Sequence, residues 1–190
     1  MNRLALLCGA LLIFAGVASA QDSPKFEAFG GYSYLHVSEN GVGINFNGGS
    51  GSLAYNFTPM LGVVADFGGY HWSQGFDGVN ETVNVVSYLF GPKVSFRHGK
   101  FTPFAQVLFG GAHGSFSFNE ECDARVRGQG GSCSGSTSEN GFSLAAGGGL
   151  DWNATTHIGI RLIQAEYLMT QFLGGTQNNA RISTGVTFSW

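Results

Sequence analysis

Residues Ala180-Arg181-Ile182-Ser183-Thr184-Gly185-Val186-Thr187-Phe188-Ser189-Trp190 alternate without a fault. Ala180, Ile182, Thr184, Val186, Phe188 and Trp190 share one face of an extended chain; Arg181, Ser183, Gly185, Thr187 and Ser189 share the other. A flat apolar stripe finishing on an exposed Trp suits a strand that faces lipid. Hydrocarbon cannot satisfy an open strand edge, so such a strand belongs to a closed barrel.

The opposite end of the chain agrees. Asn2-Arg3 forms a short positive region, Leu4 to Val17 is apolar but short for a bilayer span, and Ala18-Ser19-Ala20 supplies an A-x-A cleavage site. Residues 1–20 therefore read as a cleaved signal peptide, with Gln21 as the new N-terminus and 21–190 as one domain. Cys8 follows bulky Leu7 and makes a poor lipoprotein acceptor.

Removing Arg3 leaves 8 basic against 12 acidic residues with no basic cluster, which argues against nucleic-acid binding. Charged residues are 11% of the chain, against about 25% in an average soluble domain. No apolar run of helix-spanning length follows the signal, while Gly (31) and Phe (17) are abundant. That combination favours a transmembrane barrel over a cytosolic enzyme. Cys122 and Cys133 lie in one Gly/Ser-rich stretch, and an oxidising compartment predicts a disulfide between them; two free thiols are the alternative. Their spacing and the lack of a nearby His give little support to zinc.

Period-two stretches predict eight strands: Lys25–Val37, Phe46–Thr58, Leu61–His71, Thr82–Phe96, Phe101–Phe116, Gly141–Trp152, His157–Leu168 and Ala180–Trp190. Three connections are tight, at Thr58-Pro59-Met60, Arg97–Lys100 and Asn153–Thr156. Four are longer and polar: Ser38–Asn45, Trp72–Glu81, Ser117–Asn140 and Thr170–Asn179. The alternation predicts an all-β, eight-stranded antiparallel up-and-down transmembrane barrel with short periplasmic turns and long external loops.

Charge decides which face is which. Lys or Arg on the lipid face near midplane costs about 2–4 kcal/mol, so Asp66, Lys93, Asp151 and Arg161 must point inward. With that parity Leu61, Val63, Ala65 and Phe67, then Val86, Tyr88, Phe90, Val94 and Phe96, then Phe142, Leu144, Ala146, Leu150 and Trp152 face lipid. Small residues and sparse charges fill the opposite faces, which is the reverse of a soluble lipocalin-like barrel. Aromatics gather at both expected interfaces, Phe57, Phe96, Phe101, Trp152 and Trp190 at one and Tyr32, Tyr34, Phe142 and Tyr167 at the other. One strand breaks the rule: Arg161 is odd-numbered, whereas Gln164 and Glu166 are even. Either a β-bulge near Ile163-Gln164 restores parity or Glu166 sits at the outer rim, and the rim is the preferred reading.

Phe29-Gly30-Gly31-Tyr32-Ser33-Tyr34, Phe90-Gly91-Pro92-Lys93, Thr102-Pro103-Phe104, Gly147-Gly148-Gly149 and Gly185-x-x-Phe188-x-Trp190 resemble the OmpA/OmpX-type eight-stranded outer-membrane barrels, the broad outer membrane protein beta-barrel domain group. The resemblance covers essentially the whole exported chain. It implies residence in a Gram-negative-type outer membrane, surrounded by outer-membrane lipid. Gly185, Phe188 and Trp190 resemble the C-terminal signal read by the barrel-insertion machinery. The peptidoglycan-binding domain of full-length OmpA proteins is not expected here, so anchoring to the cell wall is not implied.

An eight-stranded lumen is filled by side chains. Lys93, Arg161 and Arg181 are expected to pair with Glu27, Asp66 and Asp151: Asp151 with Arg161 across a tight turn, and Lys93 with Asp66 or Glu27. These ion pairs would plug the barrel; a gated, narrow low-conductance channel is the alternative. His113-Gly114-Ser115 has the His-x-Ser spacing of lipid A deacylases that resemble this fold, but Phe116 stands where their motif has Asn, and no acid is placed. His113 is therefore read as an interfacial strand-end residue, and His36, His71 and His157 show no metal spacing. No cofactor is implied. The segment Ser117–Asn140 is expected as a solvated loop, with presentation of a binding tip for an extracellular ligand as the alternative. The sequence thus predicts a non-enzymatic, monomeric barrel serving envelope structure or surface interaction, with a channel or a lipid-A-modifying enzyme as competing classes.

Overall fold

The computed structural model describes residues 23–39, 42–76, 79–122, 131–172 and 175–190; the side chains at 39, 42, 75–76, 79–80, 118–122 and 131–134 lie outside the description. Eight strands, β1 (Phe26–Glu39), β2 (Val42–Asn56), β3 (Leu61–Phe76), β4 (Val79–Ser95), β5 (Phe101–Cys122), β6 (Gly131–Asn153), β7 (Ile158–Phe172) and β8 (Gly175–Ser189), follow one another round a closed antiparallel barrel. Closure joins β1 to β8: Phe26 N–H donates to Trp190 O, and Trp190 N–H donates to Phe26 O, both at 3.0 Å. No edge is left to hydrocarbon.

The lipid face follows the parity read from charge. Leu61, Val63, Phe67, Val86, Tyr88, Phe90, Ile182, Val186 and Phe188 are all exposed, while Asp66, Ser87, Lys93, Asp151, Arg181 and Ser183 are buried. Terminal Trp190 stacks on Phe26 at the periplasmic rim, where Tyr55 and Phe57 continue the aromatic row.

The short turns carry repeated chemistry. Thr58 Oγ1 accepts from Leu61 N–H (2.9 Å), and Thr155 Oγ1 accepts from Ile158 N–H (3.0 Å) in the same manner. Between β4 and β5, His98 and Phe101 exchange backbone hydrogen bonds across Gly99-Lys100, and Gly99 takes the φ of 60° that so tight a reversal needs.

The long external connections differ in form from irregular loops. Pairing continues to Glu39↔Val42, Phe76↔Val79, Cys122↔Gly131 and Phe172↔Gly175. The segment 117–140, expected as a loop, is mostly a ribbon: β5 and β6 run 22 and 23 residues, about twice the 9–11 needed to cross a bilayer. Beyond the membrane both faces of a ribbon meet water, so Ser, Thr and Asn pair without an apolar alternation to announce them.

β7 corrects the reading of Glu166. Its burial alternates until Leu162 and Ile163, which both face lipid, and then resumes with Gln164 and Glu166 inward. The β7–β8 register shifts between Arg161 and Gln164, which marks a β-bulge. Thr184 Oγ1 donates to the bulged Arg161 carbonyl (2.9 Å), satisfying an acceptor that would otherwise face hydrocarbon. Replacing Thr184 with Val is expected to destabilise the vesicle-embedded barrel by about 1–3 kcal/mol in urea titrations; no change would mean that the carbonyl has another partner.

A second correction concerns the filling. The outer half of the lumen is largely apolar: Leu35, Phe46, Tyr70, Leu89, Leu108, Ala145 and Leu168 form a buried cluster, against which Val37, Ile44, Trp72, Val83 and Val85 pack. Ala54 and Val64 carry the cluster down one side to the level of Glu27, which pairs with Ala54 across β1–β2, and the charges lie beside them.

Candidate functional site

Two polar arrangements stand out, one inside the barrel and one around its outer face. The inner one begins at the periplasmic end. Lys93 Nζ on β4 donates to Glu27 Oε2 on β1 (2.6 Å), Arg97 pairs with the other Glu27 oxygen, and Asn56 Nδ2 donates to Glu27 Oε1 (2.9 Å). Arg97 also donates to the Pro59 carbonyl, tying the first and second periplasmic turns together.

Above this lies an aromatic layer. The Arg161 guanidinium sits 4.2 Å from the Phe29 ring centre and 4.4 Å from that of Phe104, while Lys93 Nζ is 4.8 Å from Phe104. Gly149 makes room for this: a Cβ there would stand 2.8 Å from Phe104 Cζ and 2.4 Å from the Ile163 carbonyl oxygen.

From Arg161 the polar groups run as a chain. Arg161 grips Asp151 with two bonds, Nε to Oδ1 at 2.8 Å and Nη2 to Oδ2 at 3.0 Å, and donates to Gln164 Oε1 at 2.6 Å. Gln164 and Gln106 both donate to Glu166 at 2.8 Å. Arg181 closes the chain, reaching Glu166 Oε2 through Nε (2.7 Å) and Asp66 Oδ1 through Nη1 (2.6 Å). The Arg181 and Glu166 side chains are fully enclosed. Ser33, Ser183 and Tyr70 form a hydroxyl cluster next to it, and above that the apolar layer begins.

Glu27, Asp66, Lys93, Asp151, Arg161 and Arg181 thus all lie in the lumen, in two groups: Lys93 meets Glu27 rather than Asp66, and Asp66 meets Arg181. Sequence reasoning missed Glu166, Arg97, Gln106, Gln164 and the inward rings of Phe29 and Phe104. Gln106 shares the inward parity of Phe104 and Leu108, a signal the strand's apolar character hid. Side chains of Cys122 and Cys133 lie outside the described residues, and with them the expected disulfide; the backbone register pairs Cys122 with Gly131 and Cys133 with Glu120.

The outer arrangement is a repeat. His113 Nδ1 lies 2.9 Å from Asn140 Oδ1 directly across the β5–β6 ladder. Two other hairpins carry the same pair: His36 with Asn45 on β1–β2 (2.6 Å) and His71 with Asn84 on β3–β4 (2.7 Å). In each, a serine follows two residues after the histidine, at Ser38, Ser73 and Ser115. His-x-Ser is therefore present three times, although only the copy at 113 stands out by family resemblance. On the fourth hairpin Tyr167 donates to Asn178 on a diagonal, the register pairing Tyr167 with Ala180. Among the described residues no group of His, Cys, Asp and Glu has the geometry to hold a metal.

The profile described as "Outer membrane protein beta-barrel domain" matches residues 5–188. No curated protein matches the chain. Among solved structures it is similar to the attachment invasion locus protein Ail of Yersinia pestis, at 22% identity over 87% of this chain and 99% of Ail, with a TM-score of 0.61. It is also similar to the Neisserial surface protein A, at 11% identity over 90% of this chain and 100% of that one, with a TM-score of 0.61. Ail in complex with the heparin analogue sucrose octasulfate covers 87% of this chain at 21% identity, with a TM-score of 0.59. At these identities the likeness is one of fold.

Proposed function

The chain belongs to the outer membrane protein beta-barrel domain family and resides in the Gram-negative outer membrane, and from that premise we propose that it is a plugged, non-enzymatic barrel that presents its external ribbons for surface interaction. The observation that carries this reading is the succession of paired and packed side chains inside the lumen. The Glu27 cluster, the Phe29–Arg161–Phe104 layer, the Arg181 chain and the apolar cluster follow one another along the axis. A plugged barrel is a rigid post, and the β5–β6 ribbon extends its longest arm. The threefold recurrence of His-x-Ser with a cross-strand Asn supports an interfacial role for His113 and Ser115 over a single hydrolytic centre.

Charge supports a choice of partner. Ail is known with a sulfated ligand; here residues 117–140 carry Glu120, Glu121, Asp123 and Glu139 against Arg125 and Arg127. That balance favours a neutral or cationic partner over a polyanion. Deleting Ala124–Ser132 is expected to abolish cell-surface binding while the barrel still folds; unchanged binding overturns the ribbon's role. In planar bilayers the protein is expected to carry no steady current. A steady current altered by Lys93→Ala would establish the channel instead.

Three further assignments belong to the same proposal. Residues 1–20 are a leader, to be checked by an N-terminus at Gln21. Outward-facing Phe188 and Trp190, with Gly185 packed against the Gly30 carbonyl, are the features offered to the insertion machinery. Cys122 and Cys133 cross-link the β5–β6 ribbon, to be checked by the mass gained on reduction and alkylation.

A further inference from the structure

The three His–Asn pairs lie on the outward face of the barrel. Leu35 and Val37 flank His36 inward, as Tyr70 and Trp72 flank His71, and buried Ala112 precedes His113. Each pair is one side of a four-residue patch. Serine stands above histidine, and its cross-strand partner is small or hydroxylated: Ser38↔Gly43, Ser73↔Thr82 and Ser115↔Ser138. At the first patch the imidazole leans over Gly43, where an added Cβ would stand 2.9 Å from His36 Cε1.

The hydrogen bond fixes the chemistry of each patch. Asn Oδ1 only accepts, so histidine Nδ1 is the N–H donor of the pair and Nε2 is left to face a ligand. Neutral, Nε2 is an acceptor; protonated, it is a cationic donor. The asparagine Nδ2 and the serine Oγ add neutral donors on the same face. Three donors on one face, one of them switchable, suit the acceptor oxygens of a phosphate.

The surroundings decide which phosphate. The patches stand just outside the outward row of Tyr32 and Tyr167, the aromatics that sit at the bilayer boundary: His36 lies four residues beyond Tyr32 on β1, and the Tyr32 hydroxyl donates to Asn47, opposite His71. The titratable neighbours on that face are the phenols of Tyr32 and Tyr34 beside His36 and of Tyr88 near His113. Among the residues whose side chains are described, no Asp, Glu, Lys or Arg shares the outward face of any strand packed against the three histidines; Glu121, eight residues beyond His113 on β5, has its parity. Among those residues the histidines are thus the sole groups on that face that can become cationic, and what approaches a barrel sideways at this height is a lipid headgroup.

We propose that the three His-x-Ser/Asn patches form a girdle that binds the phosphates of outer-leaflet lipids, tightly when the imidazoles are protonated and weakly when they are neutral. Function as a surface post does not require this girdle; it adds an acid-strengthened grip on the surrounding membrane.

Spin-labelled phosphatidylglycerol tests it, because its phosphodiester charge stays constant over the pH range used. With the full protein in phosphatidylcholine vesicles, selectivity for labelled phosphatidylglycerol over labelled phosphatidylcholine is expected to rise about fivefold or more between about pH 8 and about pH 5.5. The variant His36→Gln/His71→Gln/His113→Gln, whose substitutions are outward and keep an amide donor, is expected to lose the rise while remaining folded on an unheated gel. Ser38→Ala/Ser73→Ala/Ser115→Ala should keep the pH dependence with a lower selectivity at both ends. A pH-independent selectivity in the wild type, or an equal rise in the glutamine variant, overturns the proposal. Inorganic phosphate at constant ionic strength should leave lipid retention unchanged; full displacement by it would mean a free-anion site and overturn the lipid assignment.

Discussion

Replacing Arg181 with Met destabilises the barrel by about 3–5 kcal/mol, the loss that follows when one partner of a buried ion pair is removed. Arg181 is the only base that meets both Asp66 and Glu166 among the described residues, and none of the three is more than 5% exposed. Without it two carboxylates face each other in a closed lumen, with Gln106 and Gln164 as the remaining donors to Glu166. Urea unfolding from lipid vesicles measures the loss. The triple change Arg181→Met/Asp66→Asn/Glu166→Gln removes every charge of the group and should recover most of it. A loss below about 1 kcal/mol for Arg181→Met would show that the carboxylates are solvated and the plug is not dry.

The second large effect comes from parity. Deleting Ala165 leaves Gln164 directly before Glu166, so the two can no longer both point inward, and one of them is turned onto hydrocarbon with its hydrogen bonds broken. An amide left unpaired there costs about 2–7 kcal/mol, and the inward partners left behind add to it, so the deletion variant should give far less of the heat-modifiable folded band. Deleting Leu162 makes the contrasting test. It removes the extra residue of the bulge and leaves Arg161, Gln164 and Glu166 in simple alternation, so this variant should still fold. Failure of both deletions alike would mean that strand length, not side-chain parity, limits assembly.

The two deletions also show where sequence reasoning stopped. Arg161 against Glu166 exposed a conflict of parity, but two local solutions fitted it, a bulge or a rim position. Choosing between them needed Arg181 on the neighbouring strand, because Glu166 is drawn inward by a base distant in the chain. The ribbons beyond the membrane were hidden for another reason: residues such as Ser132-Cys133-Ser134-Gly135-Ser136 carry no hydrophobic period, and their pairing comes from closure of the hairpin. Leu89 shares the inward parity of Lys93 but is hidden between equally apolar neighbours, and Leu108 went unread as core because Phe109 beside it is as apolar and no charge within the strand fixes its face. The histidine repeat was visible as three His-x-Ser steps, yet its meaning lay in asparagines 9, 13 and 27 residues away.

Strand number, closure, the oily outer surface and the membrane that accepts it are set by the sequence, because burying few charges and exposing many aromatics admits one sidedness along every strand. Pair identities, by contrast, come from three dimensions. Lys93 with Glu27, Asp66 with Arg181, and each histidine with its asparagine are matched by register, and register is a property of neighbouring strands that no single strand encodes.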